Sequence, residues 1–312
     1  MDSPRRAGRV AILMATYNGG RFLTPQLESI REQTIAEIDV LASDDGSTDD
    51  TSSILESFAA NWPKGRFDIV RGPGQGFADN FRSLLARTDI DADYFAFSDQ
   101  DDIWRPDKLE AAIAWLASRP PDCPALYCSR TELIDEGGRH IGFSPAFLRP
   151  PGLRNALVQS IAGGNTMVFN RAAYALLSEA ARRTAFLTHD WWSYLLVTAA
   201  DGEVHYALKP RVLYRQHGNN LVGSNSSWVA RVSRLDLLLR GRFASWKDLN
   251  RAGLEKCDDM LSPAALATAK QFWALRDEPM AERFAALQRI GIYRQSWAGQ
   301  LSLYVACCLN RL

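Results

Sequence analysis

The 312-residue chain has no surplus of either charge, with 36 lysines and arginines against 36 aspartates and glutamates. A net charge of zero gives no whole-chain attraction to nucleic acid, so no nucleic-acid partner is expected. Cysteine is sparse: Cys123, Cys128, Cys257, Cys307 and Cys308 include no Cys-x-x-Cys pair. An odd, scattered set argues against a disulfide framework and for structural thiols in a reducing compartment. Also absent is any stretch of the roughly 18 uninterrupted apolar residues expected of a membrane span. The opening "MDSPRRAGRV" has no signal-type apolar run before Val10, so secretion by that route is not expected. These absences point to a cytoplasmic protein, soluble or peripheral at the inner face of a membrane.

What is present is an ordinary globular composition, 46% hydrophobic and 23% charged, enough for one large domain or one domain with an appendage. In the first third, "VAILMA" from Val10, "IDVLAS" from Ile38, "FDIV" from Phe67 and "DYFAFS" from Asp93 each precede a polar turn and a helix-like stretch. Strands alternating with helices predict a mostly parallel sheet covered on both faces, with ligands at the carboxyl ends of the strands. The turns "TYNGG" at Thr16, "DDGSTDD" at Asp44 and "DQDD" at Asp99 would then share one rim. Beyond residue 120 the pattern loosens around "RPPDCP" and "LRPPG", with "NTMVFN" and "RVLYR" as further strands. From Trp228 onward the leucines, arginines and tryptophans recur at helical spacing. The expected division is 1–225, with halves of about 10–120 and 121–225, followed by a helical appendage over 226–312.

Each turn has a plain reading and a chemical one. In "DDGSTDD", Ser47 or Thr48 would cap the next helix, which leaves Asp44 and Asp45 free to accept hydrogen bonds from a base or ribose. In "TYNGG", Asn18 and the glycines are ordinary turn residues, or else they let backbone approach a diphosphate. No Gly-Lys-Ser/Thr follows, so this is not a Walker loop. "SDQDDIW" is more specific. A helix start at Pro106 needs one acidic cap, whereas three carboxylates in four residues exceed that need and suit a hard divalent cation, Mg2+ or Mn2+. In "THDWWSYLL", Thr188 or Asp190 is a helix cap and the aromatics are core on local pattern alone, and the loop residue His217 is an ordinary hydrogen-bonding histidine.

Together, "ATYN", "SDDGSTDDT" and "DQD" resemble the nucleotide-sugar domain of family 2 glycosyltransferases. "GFADNFRSLL", "FSDQDDIWRPDKL", "GGNTMVFNR", "HDWW" and "YRQHGNNLVG" are most similar to the bacterial rhamnosyltransferase branch, so the resemblance spans most of 10–223. It implies a Rossmann-like GT-A α/β fold and transfer of a sugar with inversion. The donor would be dTDP-L-rhamnose or a UDP-sugar, and the acceptor a saccharide or polyprenyl-linked saccharide of bacterial surface polysaccharide synthesis.

On that resemblance, Thr16, Tyr17 and Asn18 line the nucleotide pocket, and Asp44 and Asp45 read the pyrimidine edge. Asp99 and Gln100 face the ribose and diphosphate, with Asn80, Gln75 and Arg215 also on the donor side. Asp101 and His217 ligate the metal, with Asp102 as a neighbour. Asp190 is the general base, preceded by His189 where the family more often has Glu. Gly164, Asn165, Trp191 and Trp192 belong to the acceptor side, the tryptophans as a stacking surface.

Two other classes stay open at this stage. A nucleotidyltransferase would share the nucleotide fold but would be expected to carry a basic glycine-rich first turn, whereas "TYNGGRF" has only Arg21. A non-catalytic carbohydrate-binding protein would explain the tryptophans but not Asp99 and Asp101. In the tail, Arg231, Arg234, Arg240 and Arg242 among Leu235, Leu237, Leu238 and Leu239, near Trp246, form either an interfacial helix that meets the membrane or a helix packed on the catalytic domain.

Overall fold

A computed structural model describes residues 8–218 and 242–312. The first strands and helices alternate as expected: β1 (Val10–Thr16), α1 (Gly20–Arg31), β2 (Ile38–Asp44), α2 (Thr51–Ala60), β3 (Phe67–Arg71), α3 (Phe77–Leu85) and β4 (Tyr94–Ser98). Then come β5 (Ile103–Trp104), α4 (Lys108–Leu116), β6 (Ala125–Ser129), β7 (Glu132–Ile134), β8 (His140–Phe143) and the single turn α5 (Leu153–Ala156). β9 (Val168–Asn170), α6 (Arg171–Arg183), α7 (His189–Ala199), β10 (Glu203–Ala207) and β11 (Val212–Arg215) complete the α/β part. The tail is helical throughout its described length: α8 (Arg242–Lys256), α9 (Pro263–Ala274), α10 (Met280–Ile290) and α11 (Trp297–Cys308).

The seven-stranded main sheet has the order β10-β6-β9-β4-β1-β2-β3. All its neighbours are parallel except β9, which runs antiparallel to both β4 and β6. β1 shows why the sheet lies in the middle. Its side chains alternate between two cores, Ala11 and Leu13 with Phe95 and Phe97 on one face, Val10, Ile12 and Met14 with Leu23 and Leu27 on the other. A period of two with both sets apolar is what a strand covered on both faces requires. A second sheet, β5-β11-β7-β8, stands beside the first.

The register builds the rim. Thr16 pairs with Asp44 across β1 and β2, and Met14 with Ser98 across β1 and β4, so the three acidic or glycine-bearing turns begin side by side. α7 is buried along nearly its whole length, as a helix apolar on all sides must be. One side of α7 meets the sheet core and the other meets the tail. Leu254, Phe272, Leu287 and Leu303 from the four tail helices join the same cluster as Phe97 and Trp192. A Cβ on Gly253 would lie 2.8 Å from the Trp192 ring, so glycine there lets α8 approach. Trp246 is partly buried against this core. Arg231, Arg234, Leu235, Leu237, Leu238, Leu239 and Arg240 lie outside the described residues, as does the Arg242 side chain.

Two capping expectations are corrected. Ser47 and Thr48 do not cap α2; Asp49 accepts from Thr51 N at 3.1 Å and Thr51 Oγ1 at 2.5 Å, which frees Ser47 to bond elsewhere. The helix after "RPDKL" begins at Lys108 with Asp107 at its N-cap, two residues after Pro106. None of the five cysteines is paired. Among the described residues, no helix is long and apolar enough to cross a membrane.

Candidate active site

The rim formed by the first three turns is built from backbone amides tied by polar side chains. Asn18 sits at φ 47°, a left-handed conformation that asparagine tolerates better than most residues. Its N–H donates to Ser47 Oγ (2.8 Å) and its Oδ1 accepts from Thr48 N (2.8 Å), locking the first turn to the second. Gln100 clamps the other flank, accepting from Tyr17 N at 2.8 Å and donating to Tyr17 O at 3.0 Å. Both ends of its amide are spent on this clamp. The Tyr17 ring stays 58% exposed at the rim.

Asp44 accepts from Thr16 Oγ1 (3.0 Å), Ser47 Oγ (2.5 Å) and Ser47 N (3.0 Å). Asp45 is buried and holds the third turn, accepting from Gly74 N at 2.7 Å and Gly76 N at 2.8 Å. Gly74 and Gly76 have φ of 70° and 92°, which suits that loop to glycine. Asn80 lies beneath it, buried, donating to Ser43 O at 2.9 Å while its Oδ1 finds no partner. Gln75 is exposed on the loop.

The carboxylate cluster follows β4. Asp101 Oδ2 lies 2.7 Å from His217 Nε2, although 116 residues separate them in sequence. The His217 ring stacks on Phe22 with centroids 5.0 Å apart. Asp99 is pushed up to about 7, chiefly by burial and then by the charges of Asp101 and Asp190, with Lys108 opposing. Asp102 is fully buried and raised well above the ordinary carboxylate range by burial and by the charges of Asp101 and Asp99.

The compensating cation was not anticipated from sequence. Lys108 is buried, with Nζ 3.0 Å from the Trp104 ring centroid and donating to Asn165 O at 2.8 Å. Asn165 in turn donates to Asp102 Oδ2 at 2.5 Å, and Arg215 N donates to Asp102 Oδ1 at 3.1 Å. A signal existed in "PDKLE". A lysine in the first turn of α4 opposes the positive end of the helix dipole, so it needs another reason to be there.

Asp190 lies in the first turn of α7, accepting from Trp191 N at 2.6 Å and from the Thr188 hydroxyl. Burial raises its pKa, and its charge is felt at Asp99, 91 residues away in sequence. His189 packs away from that cluster. It is buried between Phe81 (centroids 3.7 Å, stacked) and the edge of Phe97 (4.7 Å), and neither ring nitrogen has a partner.

Several acceptor and donor expectations are corrected by burial. Trp192 is wholly inside, against Gly253 and Phe186, and Trp191 is nearly so, donating Nε1 to Ala156 O at 2.7 Å. Neither offers a face to a sugar, since α8 covers Trp192 and the α5 turn holds Trp191. Asn165 is tied to Asp102, and Gly164 backs onto His189, so neither presents a side chain to an acceptor. Arg215 is also buried; its guanidinium donates to the carbonyls of Asp101 (3.0 Å), Asp135 (3.3 Å) and Glu136 (2.9 Å). Those bonds make it a tie between the two sheets rather than a group turned toward a diphosphate.

The residues fit a hard divalent cation. Among the described residues no three His, Cys, Asp or Glu side chains form a closed metal cage. An Mg2+- or Mn2+-type ion takes one or two protein carboxylates and completes its shell with phosphate oxygens and water. Asp101 supplies one such carboxylate, and His217, 2.7 Å from it, adds an imidazole nitrogen.

The sequence and the fold are matched by known proteins. The Glycosyl transferase family 2 profile matches residues 11–174. The chain belongs to that family. It is 33% identical over 239 residues to the dTDP-rhamnosyl transferase RfbG of Shigella flexneri, covering 72% of this chain and 78% of that one. It is also 36% identical over 109 residues to the Escherichia coli chondroitin synthase, covering 35% of this chain and 15% of that much longer protein. Among solved structures, S. aureus TarS 1-349 in complex with UDP-GlcNAc superposes with a TM-score of 0.54 at 16% identity, covering 97% of this chain and 89% of that one. The fold of this glycosyltransferase is GT-A-like, with a helical C-terminal extension.

Proposed function

We propose that the chain is an inverting rhamnosyltransferase, moving L-rhamnose from dTDP-L-rhamnose to a saccharide or lipid-linked saccharide in cytoplasmic assembly of a bacterial surface polysaccharide. The observation that carries the proposal is the Asp101–His217 contact beside a buried Asp99 that feels the charge of Asp190. A nucleophile-activating carboxylate then stands beside a group of residues suited to a diphosphate–metal leaving group. Likeness to the Shigella protein supports the sugar. All the residues assigned lie between 16 and 217, which supports a catalytic unit over 1–225 carrying the helical appendage 226–312.

In this reading, Thr16, Tyr17, Asn18, Asp44 and Asp45 form the nucleotide side, with Asp99 facing the ribose and diphosphate. Asp101 and His217 would hold Mg2+ or Mn2+, which when bound supplies positive charge against the charge developing on the leaving diphosphate. Asp190 takes the proton from the acceptor hydroxyl as its oxygen bonds to the anomeric carbon, while the bond from that carbon to the diphosphate oxygen breaks. One base suffices for inversion. Raised by burial, Asp190 holds a proton more strongly than an exposed aspartate, which suits it to receive one.

Release of nucleoside diphosphate from dTDP-L-rhamnose, UDP-sugars and GDP-sugars, with the anomeric configuration of the product read by NMR, tests the proposal. Turnover should favour dTDP-L-rhamnose and invert the anomeric centre. Faster turnover of a UDP- or GDP-sugar rejects the donor, and release of pyrophosphate rejects the reaction.

A further inference from the structure

Far along the tail, α11 carries an apolar face that no described part of the chain covers. Trp297, Leu301, Val305 and Leu309 follow one another every four residues and are 81%, 48%, 51% and 55% exposed. A period of 3.6 places them in one stripe. The other side of the helix, Leu303, Ala306 and Cys307, is buried in the main core, so the helix is anchored and its outer stripe is left over. From Trp297 to Leu309 no residue is charged.

Charge lies at the margins instead, and it is net positive: at the Leu309 end Lys247 and Arg276 join Arg311 against Asp248. Arg294 lies along the first turns, its Nη1 3.3 Å from Ser302 Oγ at the edge of the stripe, and Arg311 follows the last turn. Arg149 joins the Trp297 end, donating to Arg294 O at 3.2 Å and lying 4.0 Å over the Tyr293 ring. Its neighbour Leu148 is 77% exposed. The two segments that meet here contain no acid: none between Glu136 and Glu179, and none after Glu282.

We infer that this face docks on an anionic lipid surface. The stripe would lie at the boundary of headgroups and acyl chains, with Trp297 at the interface and the arginines at lipid phosphates. Charge complementarity decides the occupant. A second copy placed about a two-fold axis would set the arginine-rich margins of one stripe against those of the other, which opposes self-association. A membrane bearing phosphate offers the opposite sign.

Flotation of the full chain with phosphatidylglycerol–phosphatidylcholine vesicles, and with phosphatidylcholine alone, tests the inference without any sugar donor. Wild type should float with the anionic vesicles at low salt and stay behind with the neutral ones. L301D/V305D should lower the partition by about 10-fold or more, because binding scales with apolar area inserted. Both side chains are about half exposed, so its melting temperature should fall only slightly. R149Q/R294Q should weaken binding at low salt more than at high salt. Failure of the wild type to float, or binding undiminished in L301D/V305D, overturns the inference. So does a dimer in sedimentation that L301D/V305D dissolves, since the face would then be a contact between copies.

Discussion

Gly164 leaves open the space that the Nε2 edge of His189 fills: a Cβ on residue 164 would overlap the imidazole. His189 cannot swing aside, because Phe81 stacks on it and Phe97 meets it edge-on. Gly164→Ala should therefore overpack the site, costing about 1–3 kcal/mol of stability. It should also slow transfer, since the displaced ring sits next to Asp190 in the first turn of α7. A double-mutant cycle with His189→Ala checks the cause by urea unfolding. The pair should be less destabilised than the sum of its singles if the overlap is the reason.

His189 also predicts a pH effect on stability. Burial without a hydrogen-bond partner pushes it down to about 3 from 6.5. The unfolded chain then binds a proton that the folded chain refuses. Stability is full above pH 6.5 and is lost as pH falls from there toward 3, by up to about 1.4 kcal/mol per unit from this one group. His189→Leu should remove that slope. Unfolding free energies of both proteins between pH 7 and pH 5 measure it, and equal slopes count against the assignment.

Much of the fold was legible because the first strands are continuous apolar runs, each ended by a polar turn. Val10 to Met14 could not be anything but a strand covered on both faces. The acidic turns were legible for a related reason, since three carboxylates in "DQDD" exceed what a helix cap uses. The aromatic pair Trp191–Trp192 was not. A tryptophan beside a candidate base reads equally as a sugar platform or as core, and only α8 and the α5 turn packed on α7 decide between them. Arg215 and Asn165 were misread for the same reason: each is polar in sequence but consumed by buried partners, Arg215 by carbonyls on loops far away and Asn165 by Asp102 and Lys108. Long-range pairing of this kind leaves no local period to read.

Lys108 is the test of that hidden network. It is the buried cation beside Asp99 and Asp102, and burial lowers its own pKa while both carboxylates raise it. Lys108→Met keeps much of the volume over Trp104 but removes the bond to Asn165 O and the charge set against both carboxylates, which should cost about 1–3 kcal/mol. Chemical denaturation should show the loss at neutral pH. Because protonated carboxylates need no cation, the deficit should shrink as pH falls through about 7, where Asp99 takes up its proton. A deficit constant with pH points to packing instead.

The two sides of the proposed reaction can be separated by the charges at Asp101 and Asp190. Asp101→Asn removes the carboxylate that meets His217, so nucleoside diphosphate should bind more weakly in the presence of Mn2+, and transfer should fall with it. Asp190→Asn keeps size and removes basicity, so transfer should drop by about 10²- to 10⁴-fold while diphosphate binding persists. Burial raises the Asp190 pKa above 3.8, and only its ionised form accepts a proton. The acid limb of kcat should therefore lie above pH 3.8, with the rate rising as pH rises through it, and Asp190→Asn should lose that limb. Calorimetric titration of each variant, beside its pH–rate profile, decides the matter. If Asp190→Asn weakens diphosphate binding as much as Asp101→Asn while remaining folded, Asp190 belongs to the donor side and another group must act as the base.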